Sequence, residues 1–343
     1  MKEVAVRLTL LPPVLCLALA VPAAAEVTKT LKADLTGAEA TRFAVENLIG
    51  SMRITTGAGN TVRVVATIHA ESQELADSLR FERKTSKKGL PLLLLQFPVE
   101  EHREYRYPGL RGNTNFQLGR EDDSWNWGFG RRDIRVSDRS GVLLYADVEI
   151  EVPRQPLEAT FYNRVGSLSA SGASGRLWFD TAGGDVKLDG VSGEIVADTG
   201  SGDVKATGLK GSLRCDTGSG NCAVDGFDGD ALSLDTGSGD VSLRRVRARR
   251  IDADTGSGDV VADGLEMESL KADTGSGNVR LSLPRAMGFE LRADLGGGDI
   301  DNHIADATPI LRRQELVGYR RGDGRVRIDL DTGSGDVVLD SQD

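Results

Sequence analysis

Asp235-Thr236-Gly237-Ser238-Gly239-Asp240-Val241 returns nineteen residues later as Asp254-Thr255-Gly256-Ser257-Gly258-Asp259-Val260. Variants of the same run begin at Asp180, Asp198, Asp216, Asp273, Asp294 and Asp331, at successive steps of 18, 18, 19, 19, 19, 21 and 37 residues along the eight copies. Self-similarity at this period marks a repeat architecture, in which a single unit cannot bury its own apolar face.

On either side of the turn the apolar positions alternate. Three residues before each Asp stand Leu177, Ile195, Leu213, Leu232, Ile251, Leu270, Leu291 and Ile328. One residue before it stand Phe179, Ala197, Cys215, Leu234, Ala253, Ala272, Ala293 and Leu330, and six after it Val186, Val204, Cys222, Val241, Val260, Val279, Ile300 and Val337. Spacing by two is strand periodicity, so a strand enters each turn and another leaves it. Val191, Leu209, Phe227, Val246 and Leu265 form a further apolar column. The fold expected is all-β: a single-stranded β-solenoid, or β-helix, of coils of 18–19 residues. Eight rungs make a rod on the order of 40 Å long.

Glycine supplies backbone conformations closed to other residues, while Asp, Asn, Ser and Thr bond their own backbone and fix a sharp corner. Positive φ is therefore expected at Gly237 and Gly256, and a hydroxyl ladder along Thr199, Thr217, Thr236, Thr255 and Thr274. The stacked carboxylates Asp198, Asp203, Asp216, Asp235, Asp240, Asp254, Asp259 and Asp273 repel one another, and Asn221 and Asn278 relieve part of that. Solvated turn caps with no metal are the expected reading. Calcium, which takes hard oxygen ligands, is the alternative.

Lys2 and Arg7 precede an apolar stretch from Leu8 to Val21, followed by Ala23-Ala24-Ala25. This is the three-part pattern of a secretory signal peptide, with cleavage expected near Ala25. Cys16 lacks the small residues that precede a lipidated cysteine, and no later segment reaches the length of a membrane span. A periplasmic, secreted or cell-surface location follows. The domain reading is 1–25 signal peptide, 26–160 irregular β region and 161–343 solenoid.

Two further groups break the regular pattern. Within 26–160, residues 101–140 carry Tyr105, Tyr107, Trp125, Trp127 and Phe129 among Gly, Arg, Asp and Asn. An aromatic, polar loop on a rigid rod suits glycan binding; a flap over the first coil is the other reading. Arg244, Arg245, Arg247, Arg249 and Arg250 crowd one coil of a chain whose formal net charge is −10. They read either as a contact for an anionic polymer or headgroup or as a solvated face balancing the acidic turns. The acidic balance argues against a nucleic-acid partner. Cys215 and Cys222 flank one turn, as two small core residues or, in an oxidising compartment, as a disulfide.

Catalytic signatures are missing from the sequence. His69, His102 and His303 are scattered, and no nucleophile elbow, phosphate loop or dinucleotide fingerprint occurs. The strand opening Val45-Glu46-Asn47-Leu48-Ile49-Gly50, the strand ending Val152-Pro153 and the serial Asp-Thr-Gly-Ser-Gly coils resemble the bacterial putative-adhesin family of β-strand-repeat proteins. The resemblance covers the chain from about Phe43 onward. It implies a solenoid at the envelope or cell surface, in a domain of unknown function with no agreed catalytic or ligand residues to carry over. Two departures stand out: the 101–140 insertion, and the last 37-residue step with Arg312, Arg313, Arg320 and Arg321.

The function expected is a non-catalytic, adhesin-like protein whose partner is an envelope glycan or protein. One alternative is a structural or regulatory periplasmic partner, including self-association through the terminal strand edge at Val337 to Leu339. A polysaccharide-cleaving β-helix enzyme is the remaining one.

Overall fold

The computed structural model describes residues 26–110, 112–118 and 132–342. Parallel strands stack coil on coil in register, so that Asp180, Asp198, Asp216, Asp235, Asp254 and Asp273 lie one above the next. In a full coil the chain leaves one corner as Val204–Thr217 and meets the next as Cys222–Thr236. Each such strand bends near its middle, where Gly208 and Gly211 take φ of 64° and 108°. The 18-residue step becomes 19 at a register shift: Gly211 faces Gly229 while Ser212 faces Ala231, and Asp230 is left over as a bulge.

The apolar columns fill the interior. Ile195, Leu213, Leu232 and Ile251 stack, and so do Val204, Cys222, Val241 and Val260, all buried. Leu209, Phe227, Val246 and Leu265 seal the bent side. A buried aliphatic side chain contributes about 1.5–3 kcal/mol, so each coil is held by the columns of its neighbours.

The stack begins well before residue 161. Arg42–Ile49 and Met52–Thr56 form a coil, which pairs in parallel with Leu157–Val165 and Leu168–Ser171. Between those two coils the chain leaves the stack and builds its end. Val62–Ala70 lies antiparallel between Val27–Leu35 and Val142–Val152. Pro91–Gln96, the greasiest segment, is nearly all buried and joins Arg80–Thr85 to the coil at Ala44–Glu46. The register also places Glu46, Tyr162 and Asp180 in one column and Asn47, Asn163 and Thr181 in the next. Glu46 to Gly50 is thus a corner of the same stack, whereas Gly57 to Asn60 crosses from Met52–Thr56 to Val62–Ala70, which flank Val142–Val152 on opposite sides.

The far end departs from sequence order. Val326–Thr332 pairs with Ser269 to Thr274 on one side and with Phe289–Leu295 on the other. Val337–Gln342 is likewise flanked by Val279–Pro284 and Ile300–Asn302. The last coil in sequence is therefore the penultimate one in space. This corrects the expectation of a free edge at Val337 to Leu339: that strand has neighbours on both sides. The outermost strands here are Ile300–Asn302, three residues long, and Thr308–Arg312, which carries Pro309. Short strands and proline blunt an edge against strand addition.

Among the described residues no helix is long and apolar enough to cross a membrane.

A candidate ligand groove at the bend

The polar residues of the corner work for the fold. Thr217 Oγ1 donates to Gly202 O, one coil earlier, at 3.0 Å and accepts Gly220 N–H at 3.1 Å. Thr199, Thr236, Thr255 and Thr274 repeat the arrangement, all buried. The hydroxyls thus hold glycine backbone rather than forming the threonine ladder expected from the sequence. The second polar position is a ladder of another kind. Asn221 N–H bonds Asp203 Oδ1, Asp240 N–H bonds Asn221 Oδ1, and Asp259 N–H bonds Asp240 Oδ1, at 2.8–2.9 Å. The same oxygen-to-backbone bond runs on through Asn278, Asp336 and Asp299.

Glycine is required at the corner by close approach. A Cβ on Gly202 would fall 1.9 Å from Gly184 O, and one on Gly239 2.0 Å from Gly220 O. At Gly237 and Gly256 the expectation of positive φ is corrected: neither lies in the left-handed region, and each faces the carbonyl of the glycine one coil earlier, Gly218 or Gly237.

The first carboxylate column, Asp198, Asp216, Asp235, Asp254 and Asp273, points outward. Partial burial, with Asp180 and Asp216 on either side, pushes Asp198 up to about 6. Burial and the neighbours Asp273 and Asp235 raise Asp254 too. Arg214 reaches Asp216 at 3.4 Å and Lys271 reaches Asp273 at 3.6 Å. Among the described residues no three His, Cys, Asp or Glu side chains converge as a metal site.

The arrangement nearest to catalytic geometry lies at the other end. Ser51 Oγ bonds Asp147 Oδ1 at 2.6 Å, and His69 sits between Glu26 at 2.5 Å and Asp147 at 3.5 Å, stacked on Tyr145. The hydroxyl meets the carboxylate instead of the imidazole, so the serine–histidine contact that activates a nucleophile is missing.

Two of the aromatic residues read as a sugar platform are core. Tyr105 is fully buried edge-on to Phe97, and Tyr107 is buried against Tyr145. Burial raises both phenol pKa values. These two therefore do not form an exposed binding surface; alternation along Glu104–Arg106 and the residue after it turns them inward. Trp125, Trp127 and Phe129 lie outside the described residues.

The arginine run is one layer of a charge-alternating stack. In register, Arg244 lies between Asp225 and Asp263, and Arg247 between Asp228 and Glu266. Arg247 pairs with Glu266 at 2.8 Å, and Arg249 bridges Asp230 at 3.2 Å and Glu268 at 3.5 Å. Arg245 pairs with Asp225. Arg244 and Arg250 form no ion pair among the described residues. Opposite charges on adjacent strands stabilise the stack modestly, and they balance the patch as a whole.

Within this layer one residue breaks the backbone rule. Gly172, Gly190, Gly208, Gly226 and Gly264 take φ of 60–76° at the bend, and Arg245 occupies the same place in its coil at φ 50°. A left-handed conformation costs a non-glycine residue roughly 1–2 kcal/mol, and such strain concentrates at functional positions. Arg245 borders a groove of about 470 Å³ that runs across the coils over Leu209, Phe227 and Val246. Lys210, Asp228, Arg247 and Glu266 form its polar walls. The signal was present in the sequence: ten residues after the corner Asp, glycine stands at 190, 208, 226 and 264 but arginine at 245.

Cys215 and Cys222 are joined by a disulfide across one corner. In the neighbouring coils their columns hold Ala197 and Leu234, and Val204 and Val241.

No curated protein matches the chain. In structure it is similar to the "putative lipid binding protein" of Parabacteroides distasonis ATCC 8503, with a TM-score of 0.39 and 10% identity over 90% of this chain and 96% of that one. A "putative cell adhesion protein" of Clostridium sporogenes ATCC 15579 aligns with a TM-score of 0.18 and 10% identity, over 92% and 100%. Likeness of that size carries no argument about ligands. The Toastrack DUF4097 family model matches residues 119–340, the corner repeats included, and the chain therefore belongs to that family, a domain of unknown function.

Proposed function

We propose that this protein is a non-catalytic, adhesin-like binding protein of the cell envelope that holds glycan in the groove at the bend. The observation that carries the reading is Arg245, a strained arginine kept where the other coils have glycine. Its neighbours are fork-shaped or carboxylate side chains in pairs, which suits hydroxyl-rich, weakly charged ligands better than polyanions. The Cys215–Cys222 disulfide and the leader pattern at 1–25 support an oxidising, extracytoplasmic setting. A non-catalytic role is supported by the corner residues, whose threonine and second Asp or Asn oxygens are engaged by backbone.

The test is binding of the purified protein to isolated peptidoglycan and envelope polysaccharide, with Arg245→Gly beside the parent. Saturable binding is expected, unaffected by EDTA and weakened about tenfold in the variant, the size of one charge-assisted hydrogen bond. Equal binding by parent and variant would remove the groove from the reading.

A further inference from the structure

The far end of the rod carries a feature that the groove does not use. Thr308–Arg312 and Glu315–Arg321 form an antiparallel hairpin turned by Arg313 and Gln314, both left-handed at φ 54° and 76°. Leu311 and Leu316 face each other across the two strands and are 62% and 41% exposed. Among the described residues, the other large apolar side chain so exposed is Val261. Leu311 also borders an open groove of about 970 Å³ between the hairpin and the last coil, with Ile310 and Val317. Arg312 and Arg313 flank the leucine pair and form no ion pair among the described residues.

The base of the hairpin is fixed. Arg321 is buried, donates to Pro284 O at 2.8 Å and to Arg285 O, and lies over the Phe289 ring. From 312 to 327 the sequence has six arginines against Glu315 and Asp323, in a chain whose formal net charge is −10. A small apolar tip set in cations on an acidic body is complementary to an anionic bilayer surface. Pairing with a second copy is opposed at the adjacent edge, because Pro309 removes an N–H from the outer strand.

We propose that the 308–321 hairpin seats Leu311 and Leu316 in the interface of an anionic lipid bilayer, with Arg312 and Arg313 on the headgroup phosphates, so that the rod stands on its end. Two leucines and two arginines make this attachment weak, reversible and salt-sensitive.

Co-sedimentation of the purified protein with phosphatidylcholine vesicles, with and without phosphatidylglycerol, tests this. The parent is expected to bind the phosphatidylglycerol vesicles at low salt and to be released as salt rises. Leu311→Ser/Leu316→Ser should bind at least tenfold more weakly at unchanged melting temperature. Arg312→Gln/Arg313→Gln should lose the preference for phosphatidylglycerol. A polarity-sensitive dye on Leu311→Cys should shift to the blue with these vesicles, which reports the tip independently of the apolar 8–21 segment. Absence of vesicle binding, an unshifted dye, or full binding by the double serine variant would overturn the proposal. A parent dimer at micromolar concentration that the double serine variant fails to form would assign the leucines to a second copy instead.

Discussion

Arg245 and Gly226 occupy the same bend on adjacent coils, both with positive φ, and only one of them is a residue for which that conformation is ordinary. Arg245→Gly should therefore stabilise the protein. Relief of the backbone contributes roughly 1–2 kcal/mol, and loss of the exposed pair with Asp225 takes back at most about 1 kcal/mol. Urea unfolding should show a higher midpoint for the variant at an unchanged slope. Arg245→Ala, which keeps the strain and loses the pair, should be no more stable than the parent.

The corner glycines differ in what surrounds them, and that gives a matched pair of substitutions. Gly239→Ala puts a methyl 2.0 Å from a backbone carbonyl one coil below, and both coils are held by further rungs. A loss of about 3 kcal/mol or more is expected, at the severe end of single substitutions. Gly297→Ala has nothing within 4 Å of the added carbon and should stay within about 0.5 kcal/mol of the parent. Equal melting temperatures for the two would contradict the close stacking of the corners.

Asp198 makes stability depend on pH. Its carboxyl titrates near 6 in the folded chain, against 3.8 ordinarily, because of burial and then Asp180 and Asp216; Arg214 and Lys88 oppose the shift. The folded state holds the proton more tightly, so the Asp198 contribution to stability falls as pH rises from about 4 through about 6. Asp198→Asn should remove this slope and stabilise the protein at pH 7 by roughly 1 kcal/mol, since water screens a part-exposed group. Thermal melts at pH 4 and pH 7 would show the parent and variant diverging only at the higher value. A constant difference at both would refute the assignment.

Reducing the Cys215–Cys222 bond should cost about 2 kcal/mol, the loop-entropy value for so short a ring. Cys215→Ala/Cys222→Val fills both columns as neighbouring coils do, so it should lose no more than reduction does and keep the circular dichroism of a β protein. Complete unfolding of that variant would mean the bond holds more than its own coil.

The solenoid was legible because a column repeats in sequence what stacks in space: Ile195, Leu213, Leu232 and Ile251 announce both the strand and its register. The first corner was harder to see, because Glu46-Asn47 and Tyr162-Asn163 replace Asp-Thr while keeping the glycine four residues on, at Gly50 and Gly166. Buried asparagine does there what threonine does later. Asn163 Nδ2 donates to Gly50 O and Gly166 O, and Asn47 Nδ2 to Ala146 O and Asn163 Oδ1. Tyr105 was misread because its polar neighbours suggested a surface, whereas its place in a short strand against Val142 decides its burial. The swap of the last two coils was only faintly marked: Asp294 and Asp331 both fit the apolar columns, but Asp331 opens an intact Asp-Thr-Gly-Ser-Gly run like that at Asp273, whereas Leu295 stands where the other Asp corners have threonine.

Synthesis meets this swap from an awkward direction. Phe289–Asn302 leaves the ribosome before Val326–Gln342, yet its rung on the stack exists only once those later residues arrive. The final segment therefore acts as a keystone, seating two layers in a single event. Ribosome stalling or a premature stop just before Val326 would strand both outer layers rather than shorten the rod by one. Growth or loss of whole units is best tolerated in the middle of the array, between Asp198 and Asp273, where each layer is laid down in the order in which it is read.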